Sequence, residues 1–560
     1  MGGRCRSEWH RDAVFGDPGL GGADPQRTTP VTATFPLGLA LGWARLVSVF
    51  VADMALLGVG VSAAGRPGWW TALVAAVLLS AAALVCWRGA PLLTLGWRAL
   101  RAHRAHLGVP AGQLDDHERT FGAGPVGIRA VGTHLVAVVA VDGQPHSPSV
   151  LDYPRVVSMT SLPLATVADA LRQFDVTLAG IDVLSAGSRR AGKTHHPYAE
   201  AYSSEVGDHP AVGQRQTWLV IRIDASASAR AIVWRESVAA TLAAAAESLV
   251  HELGRVRIGA RVLSAEHIRA ADEALLAGVQ AAALHPGWRR LRHSGGYVQT
   301  YWMSPHDITT TNIDRLWAPD SEATVVSIQL RLTPEGDPTV GVAVRYHTGY
   351  PLAEAPLTGL NPWTGRHDLA LDTGLLVAAC PVKVPARRVS ADEELRAPIG
   401  ATGIIIGATA TGHPLLVDLS VPTATATVTI AGEPALTVAI ARRAAATGLH
   451  VLVCTSHPQR WQEVTAAGLQ VIDAAALAQR SWSPGQRVMV VFDDVDEPAP
   501  RAATVVLYTV PADSTSSADV HLKQDGPDHA LLRTWAIADR LHIDITDERR
   551  LLTARPRRAA

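Results

Sequence analysis

Cysteine, lysine and net charge are all scarce in this 560-residue chain, and each scarcity closes off a class of protein. The four cysteines, Cys5, Cys86, Cys380 and Cys454, lie far apart with no C-x-x-C pair. That spacing excludes a disulfide-stapled scaffold and a zinc ribbon, and it fits a body folded in a reducing cytosol. Lysine occurs only as Lys193, Lys383 and Lys523; the other basic residues are arginine beside abundant alanine, the mark of a GC-rich coding bias more than of function. The 50 basic and 51 acidic side chains nearly cancel, so no whole-chain positive field exists to hold nucleic acid, and no nucleic-acid partner is expected. Charged residues reach only 18% against 48% hydrophobic ones, with a mean hydropathy of +0.14. Such a chain is too apolar for disorder and points to a membrane segment. At roughly 150 residues per domain, the length leaves room for three or four domains.

What is abundant is concentrated near the N-terminus. Residues 46–64 read LVSVFVADMALLGVGVSAA and 69–87 read WWTALVAAVLLSAAALVCW, each close to the roughly 20 residues that cross a bilayer core as a helix. Gly65-Arg66-Pro67-Gly68 separates them, and helix-stopping residues in so short a break predict a hairpin. Trp43, Trp69, Trp70 and Trp87 stand where interfacial aromatics belong. A polar tail of roughly forty residues before the first span argues against a cleaved signal peptide. Arg27 and Arg45 precede the pair and Arg88, Arg98, Arg101 and Arg104 follow it, against Arg66 alone in the connector. The positive-inside rule then predicts an inner (plasma) membrane protein with two spans and both termini cytoplasmic. Asp53 is the one acid within a span, costly there unless it finds a partner or takes up a proton. Residues 92–107, LLTLGWRALRAHRAHL, suit a basic amphipathic helix on the inner leaflet or a solvated extension of the second span.

The remainder reads as two mixed α/β modules. In the first, strands are expected over 126–131, 135–141, 181–184, 218–223 and 261–263, and helices over 164–174, 238–253 and 266–283. A hairpin over 324–332 and 339–347 turns at Pro334-Glu335-Gly336-Asp337-Pro338 and supplies an antiparallel edge. In the second, strands at 425–430, 450–454, 469–472, 488–492 and 504–508 alternate with helices at 435–446 and 459–467, before a final helix around 530–538. That alternation is the pattern of a doubly wound parallel sheet.

Two segments resemble nucleotide sites. Gly187-Ser188-Arg189-Arg190-Ala191-Gly192-Lys193-Thr194 satisfies G-x-x-x-x-G-K-[ST], so Gly187, Gly192, Lys193 and Thr194 form a candidate phosphate loop. His195-His196-Pro197-Tyr198 shows no apolar period that would open the helix such a loop needs. The strand 218–223 ends at Asp224 without a second acid, so its likeness to a magnesium-holding strand is incomplete. In the second module Val488-Met489-Val490-Val491-Phe492 runs into Asp493-Asp494, the shape of a magnesium-holding strand. Its partner loop, Ala431-Gly432-Glu433-Pro434-Ala435-Leu436-Thr437, lacks the lysine and sets an acid where phosphate would lie. A degenerate NTPase-like sheet without catalysis is the reading that follows. No G-x-S-x-G or H-E-x-x-H is present, and His251-Glu252 lacks a second histidine. His195, His196 and His209 have no acid or thiol at ligand spacing, so no metal is expected. Trp288, Tyr297, Tyr301 and Trp302 make an aromatic patch that serves either the core or a partner surface.

The order of parts resembles a known family. After the apolar pair come Leu162-Pro163-Leu164, Leu171-Arg172-Gln173-Phe174-Asp175-Val176, Gly180-Ile181-Asp182-Val183-Leu184-Ser185 with Arg189-Arg190, and Arg215-Gln216-Thr217-Trp218-Leu219-Val220-Ile221-Arg222. These blocks are similar to EccE, a membrane component of the actinobacterial ESX (type VII) secretion machine, over most of residues 36 to 350. The resemblance implies a non-enzymatic structural subunit of the inner-membrane core complex, with EccB, the EccC ATPase, EccD and the mycosin protease as neighbours, and no cofactor or catalytic residue. In that family the loop matching residues 187–194 has arginine-rich variants and is not recognised as a phosphate loop. The alternative is a membrane-anchored nucleotide-binding protein or NTPase using Lys193 and Thr194. The expected division is a polar tail (1–45), a transmembrane hairpin (46–87, spans 46–64 and 69–87), a basic juxtamembrane helix and linker (88–119), an EccE-like α/β domain (120–350), a linker (351–397), an NTPase-like degenerate domain (398–545) and a basic C-terminal tail (546–560).

Overall fold

The computed structural model describes residues 37–39, 42–87, 90–104, 112–119, 122, 124–191, 196–379, 381–390, 393–421, 424–462, 464, 468–482, 486–500, 503–511, 514 and 517–553. Two units form, Met1–Trp97 and Arg98–Ala560.

In the first unit, helical backbone runs without interruption over Trp43–Leu84, so the break expected at 65–68 does not end the helix assignment. A straight helix of that length would extend about 63 Å. Its two ends nevertheless meet: Leu37–Leu39 pairs antiparallel with Val85–Trp87, Leu39 opposite Val85. Within the run, Ser80 Oγ donates to Asp53 Oδ2 at 2.6 Å, although residues so spaced on a straight helix would stand about 40 Å apart. These contacts bring the two apolar stretches together. Ala72, Ala76 and Ala83 are buried, on the side that also carries Ser80 at helical spacing, and small side chains there let helix backbones approach. Residues 85–87, expected as helix, are strand instead, because Val85, Cys86 and Trp87 complete the ladder with Leu37–Leu39. Arg45–Ser62 has a mean hydropathy of 1.7 over 18 residues with 6% of it buried, long and apolar enough to cross a membrane, while Trp69–Leu84 is apolar but shorter. The basic helix expected after the pair spans Leu92–Arg104.

The second unit is built on two large sheets. The first runs in the order Gln113–His117, Val126–Val131, His134–Gly143, Gln214–Asp224, Gly180–Ser188, Ala323–Leu332, Pro338–Thr348, Gly296–Met303, Leu291–His293 and His285–Pro286, every pair antiparallel. Strand residues alternate between two cores. Leu219, Ile221 and Ile223 face a layer with Leu242, Ala246 and Leu249 of helix Val238–Arg255, while Trp218 and Val220 face Ile268, Ala271 and Leu275 of helix Ala265–Leu276. The region is mixed α/β as expected, with its sheet antiparallel, but the hairpin of Ala323–Leu332 and Pro338–Thr348, expected at an edge, lies in the interior. Several helices are also shorter than periodicity predicts. Leu164–Asp169 gives way to a strand at Arg172–Gln173, and Ala265–Leu276 stops at left-handed Ala277.

The span 351–397 is not a free linker. Leu360–Pro362 and Ala386–Arg388 add strands to the first sheet, and Leu371, Leu375 and Leu376 enter its core. Pro and Gly punctuate that stretch, yet its leucines find an apolar face, which outweighs local turn chemistry.

The second sheet runs Leu469–Val471, His450–Thr455, Val488–Asp493, Val505–Thr509, Ala426–Ala431, Val520–Gly526, His529–Thr534, Ala538–His542, Ile404–Ala408, Pro414–Val417, Pro148–Asp152 and Arg155–Ser158. The strands from Leu469–Val471 to Val520–Gly526 are parallel, and the rest pair antiparallel. Two expectations change. The helix around 530–538 is a strand pair, His529–Thr534 with Ala538–His542, since Ala530, Leu532 and Leu541 alternate into the core. The modules at 120–350 and 398–545 share this sheet, because Pro148–Asp152 pairs with Pro414–Val417.

Candidate functional site

Gly187 lies within the strand Gly180–Ser188, paired with Arg215 on one side and Thr324 on the other. A phosphate loop must leave its sheet and turn successive amides inward; at Gly187 the strand instead continues. Glycine is needed for packing, because a Cβ would overlap the carbonyl oxygen of Gln214 and come within 3.0 Å of Arg215 Cα. Arg189 donates to the carbonyls of Ala318 and Gly207, and Arg190 pairs with Asp320 at 3.2 Å. Gly192, Lys193 and Thr194 lie outside the described residues. A helix does follow, Pro197–Val206, which periodicity at 195–198 did not foretell. His196 caps it by accepting at Nδ1 from the Tyr198 N–H at 3.2 Å, and Ala199, Tyr202 and Val206 are buried. Asp224 ends the neighbouring strand at the opposite rim, about 30 Å from the Gly187 rung. Its Oδ1 accepts from the Ser226 hydroxyl and N–H at 2.7 and 3.0 Å. That local turn holds its carboxyl below the usual range and ties it to its own loop.

In the second sheet the parallel strands present their carboxyl ends along one rim, where α/β sheets take ligands. Asp493 ends Val488–Asp493 and is buried. Its Oδ2 accepts from Thr455 Oγ1 and Trp461 Nε1, each at 2.8 Å. Arg460 Nη1 donates to Oδ1 at 3.0 Å and to Oδ2 at 3.2 Å. A magnesium-holding acid keeps an oxygen for the ion or its water; here both oxygens serve the chain's own donors. Asp494 pairs with His457 at 3.4 Å and Arg460 at 3.5 Å.

At the end of Ala426–Ala431, Glu433 stands at the N-cap of helix Pro434–Ala446, the position where a helix N-terminus would receive phosphate. Glu433 Oε1 accepts from Gln524 Nε2 at 2.8 Å and from Arg549 Nη2 and Nε at 2.6 and 2.9 Å. Gln524 Oε1 accepts in turn from the Glu433 N–H at 2.9 Å. The Arg549 hydrogen bond, reinforced by Gln524, holds Glu433 below the usual carboxylate range. Arg549 belongs to helix Thr546–Thr553, inside the span 546–560 expected as a tail, so that part is a docked element. The phosphate seat is filled by an internal carboxylate and its own arginine.

Of the remaining sequence candidates, His209 and Tyr301 make internal contacts. His209 Nδ1 lies 2.9 Å from the Val206 carbonyl, His195 lies outside the described residues, and among the described residues no three His, Cys, Asp or Glu side chains are grouped to hold a metal. Tyr301 is buried against Tyr346 at 6.1 Å between ring centroids, while Trp288, Tyr297 and Trp302 are half-buried. Sequence reasoning missed the charges inside the first sheet. Asp182 is fully buried between Arg222 and Arg331, the latter at 2.5 Å, and Arg129 meets Asp272 at 2.5 Å. Their signal was present as lone charges within apolar strands, Asp182 in GIDVL and Arg222 in LVIRI.

A long apolar helical run and a mixed α/β body, in which Asp493 and Glu433 are engaged by the chain's own side chains, fit a membrane-type chain. A family described as "Putative type VII ESX secretion system translocon, EccE" matches residues 211–303, the stretch from the start of strand Gln214–Asp224 to the end of Gly296–Met303. The chain is 34% identical over 387 residues to the ESX-5 secretion system protein EccE5 of Mycobacterium marinum, covering 65% of this chain and 96% of that protein. It is 33% identical to the EccE5 protein of Mycobacterium tuberculosis, with 65% and 95% covered. The ESX-2 secretion system protein EccE2 of Mycobacterium tuberculosis is 24% identical over 403 residues, with 69% and 74% covered. The chain belongs to the EccE family.

Proposed function

We propose that this protein is a non-enzymatic structural subunit of the membrane core complex of an ESX (type VII) secretion system. Its helical run enters the inner membrane as a two-span hairpin with both termini cytoplasmic, and its α/β body contacts other subunits, EccB, EccC, EccD and the mycosin protease by family resemblance. The observation that carries the non-enzymatic reading is the occupation of both nucleotide positions: Asp493 by Arg460, Trp461 and Thr455, and Glu433 by Arg549 and Gln524. Phosphoryl transfer depends on positioning and charge stabilisation, and a seat already holding a carboxylate offers neither to ATP.

Membrane insertion is supported by the exposure of Phe50, Val51, Val59, Val77 and Leu78, apolar surface that water would penalise at about 25 cal/mol per Å². The arginines after the run favour a cytoplasmic body. The nucleotide-binding alternative draws support from helix Pro197–Val206 behind the candidate loop, and is opposed by the strand pairing of Gly187.

Affinity purification of the full chain from membranes, followed by mass spectrometry, tests the assignment. Copurifying ESX membrane subunits are expected. Recovery of the chain alone, or ATP turnover lost in Lys193→Ala, would defeat it. Protease applied from the outer face should leave the region after Arg101 intact.

A further inference from the structure

Arg215 opens the buried stretch of the central strand Gln214–Asp224 and is 5% exposed. Its guanidinium stacks on the Trp317 ring, 4.3 Å from the centroid. Its Nε is buried without a hydrogen-bond partner, and no carboxylate among the described residues makes ion-pair contact with it. Burial lowers its pKa to about 10, with Asp314 opposing from a distance, so the group remains a cation at neutral pH. Asp314, pushed up to about 6 by its own burial, is influenced more by Arg215 than by Arg155, whose Nε lies 4.0 Å away, and so acts on Arg215 as a distant counter-charge without ion-pair contact. The other buried arginines of this sheet are answered by the protein: Arg222 by Asp182, Arg129 by Asp272, and Arg345 by the Leu371 and Leu275 carbonyls. A buried cation without such a partner is costly.

The space beside Arg215 is a 440 Å³ cavity between the two sheets, within the size range of small-molecule sites. Three further groups on its wall bear on what it accepts. Arg261 is engaged with Asp142 at 3.3 Å, whereas Arg487 has no carboxylate partner among the described residues. His146 is 3% exposed; its Nδ1 lies 2.9 Å from the Asp418 carbonyl, which assigns the ring proton there and leaves the buried, unpartnered Nε2 as an acceptor. Of the wall carboxylates, Asp142 is spent on Arg261 and Asp418 accepts from the Ser420 hydroxyl at 2.8 Å, while Glu273 is exposed. Two guanidinium groups and one imidazole acceptor match the oxygens and the single P–OH of hydrogen phosphate or of a singly protonated phosphate ester.

We propose that this cavity binds a small oxyanion, inorganic phosphate or the phosphate end of a phosphate ester, through Arg215, with Arg487 and His146 closing on it. The anion would tie the first sheet to the second, since Arg215 comes from one and Arg487 leads into the other.

The test is equilibrium dialysis of radiolabelled inorganic phosphate against the full chain in detergent micelles, at pH 7.5 and constant low ionic strength, with AMP as competitor. One saturable site per chain is expected. It should weaken about tenfold or more in Arg215→Gln and severalfold in Arg487→Gln, as for loss of a charge-assisted bond. Arg487 lies at a strand margin, so its variant reports even if Arg215→Gln does not fold. AMP displacing phosphate assigns the site to phosphate esters, and phosphate binding untouched by AMP assigns it to the free anion. Absence of saturable phosphate binding up to about 10 mM, weak even on the scale of metabolite sites, or equal affinity in the native chain and Arg487→Gln, overturns the proposal.

Discussion

Replacing Asp493 by asparagine keeps the side-chain shape and removes one buried negative charge from a site where three donors converge. If the carboxylate is a structural clasp, the loss appears as stability. An asparagine oxygen can still accept from Trp461 and Thr455, but its amide then faces Arg460, donor against donor. A hydrogen bond to a charged group contributes about 1.5–3 kcal/mol. The Arg460 side chain is 24% exposed, so solvent screens part of its pairing. The net expectation for Asp493→Asn is a loss of about 2–3 kcal/mol, or about 2–3 °C in melting temperature for a body of this size. Intrinsic fluorescence of the detergent-solubilised chain is a direct readout, because Trp461 donates to the altered group. Arg460→Ala combined with Asp493→Asn should cost less than the sum of the two, as expected for partners in one network. An unchanged melting temperature in Asp493→Asn, together with loss of a magnesium–ATP-dependent shift seen in the native chain, would refute this reasoning.

Asp182→Ala leaves Arg222 and Arg331 without their shared buried anion and should cost about 3–5 kcal/mol, read from the denaturant midpoint. Burial raises the Asp182 carboxyl, but the charges of Arg222 and Arg331 outweigh it and hold it below its ordinary value. Its stabilisation is therefore complete above the unfolded pKa of about 3.9 and is lost as pH falls through the lower folded value. The acid limb of a melting-temperature profile should flatten in Asp182→Asn, and an identical limb would contradict the assignment. Gly187→Ala should destabilise by about 2 kcal/mol through overlap with the Gln214 carbonyl; a fully stable variant that has lost nucleotide binding would restore the phosphate-loop reading. Paired Asp53→Cys and Ser80→Cys substitutions should cross-link on oxidation in membranes and change gel mobility, whereas a straight helix would leave both thiols reduced.

Legibility from sequence tracked how local the physical cause was. The parallel strands Val488–Asp493 and His450–Thr455 and the helix Pro434–Ala446 were readable because period and turn chemistry agree there. The strand pair His529–Thr534 and Ala538–His542 was misread as helix: alanine-rich spacing satisfies either period, and only the neighbouring Val520–Gly526 selects strand. No local signal could have assigned Pro148–Asp152 to the second sheet, since its partner at Pro414–Val417 lies far along the chain. At the candidate sites the missing lysine and the intruding Glu433 were visible in the sequence. Their partners Arg549, Gln524, Arg460 and Trp461 were not, because each reaches its acid through tertiary packing.

Those partners bear on how the acids at the strand ends of the second sheet are accommodated. An acid left at the end of a buried strand must be paired or protonated, because unpaired burial of its charge is costly. In this protein Asp493 is answered by Arg460 and Glu433 by Arg549, and each pair joins elements distant in sequence: strand to short helix in one case, helix N-terminus to C-terminal helix in the other. The acids at these strand ends thereby act as internal fastenings, and under the proposed reading any substitution freeing them must overcome a stabilising pair before it gains a ligand. The central Asp182 cluster fastens the first sheet in the same way. Arg215 breaks the pattern, a buried cation lining a cavity with no acid in ion-pair contact among the described residues, which is why the oxyanion is expected there and not at the two positions that resemble nucleotide sites.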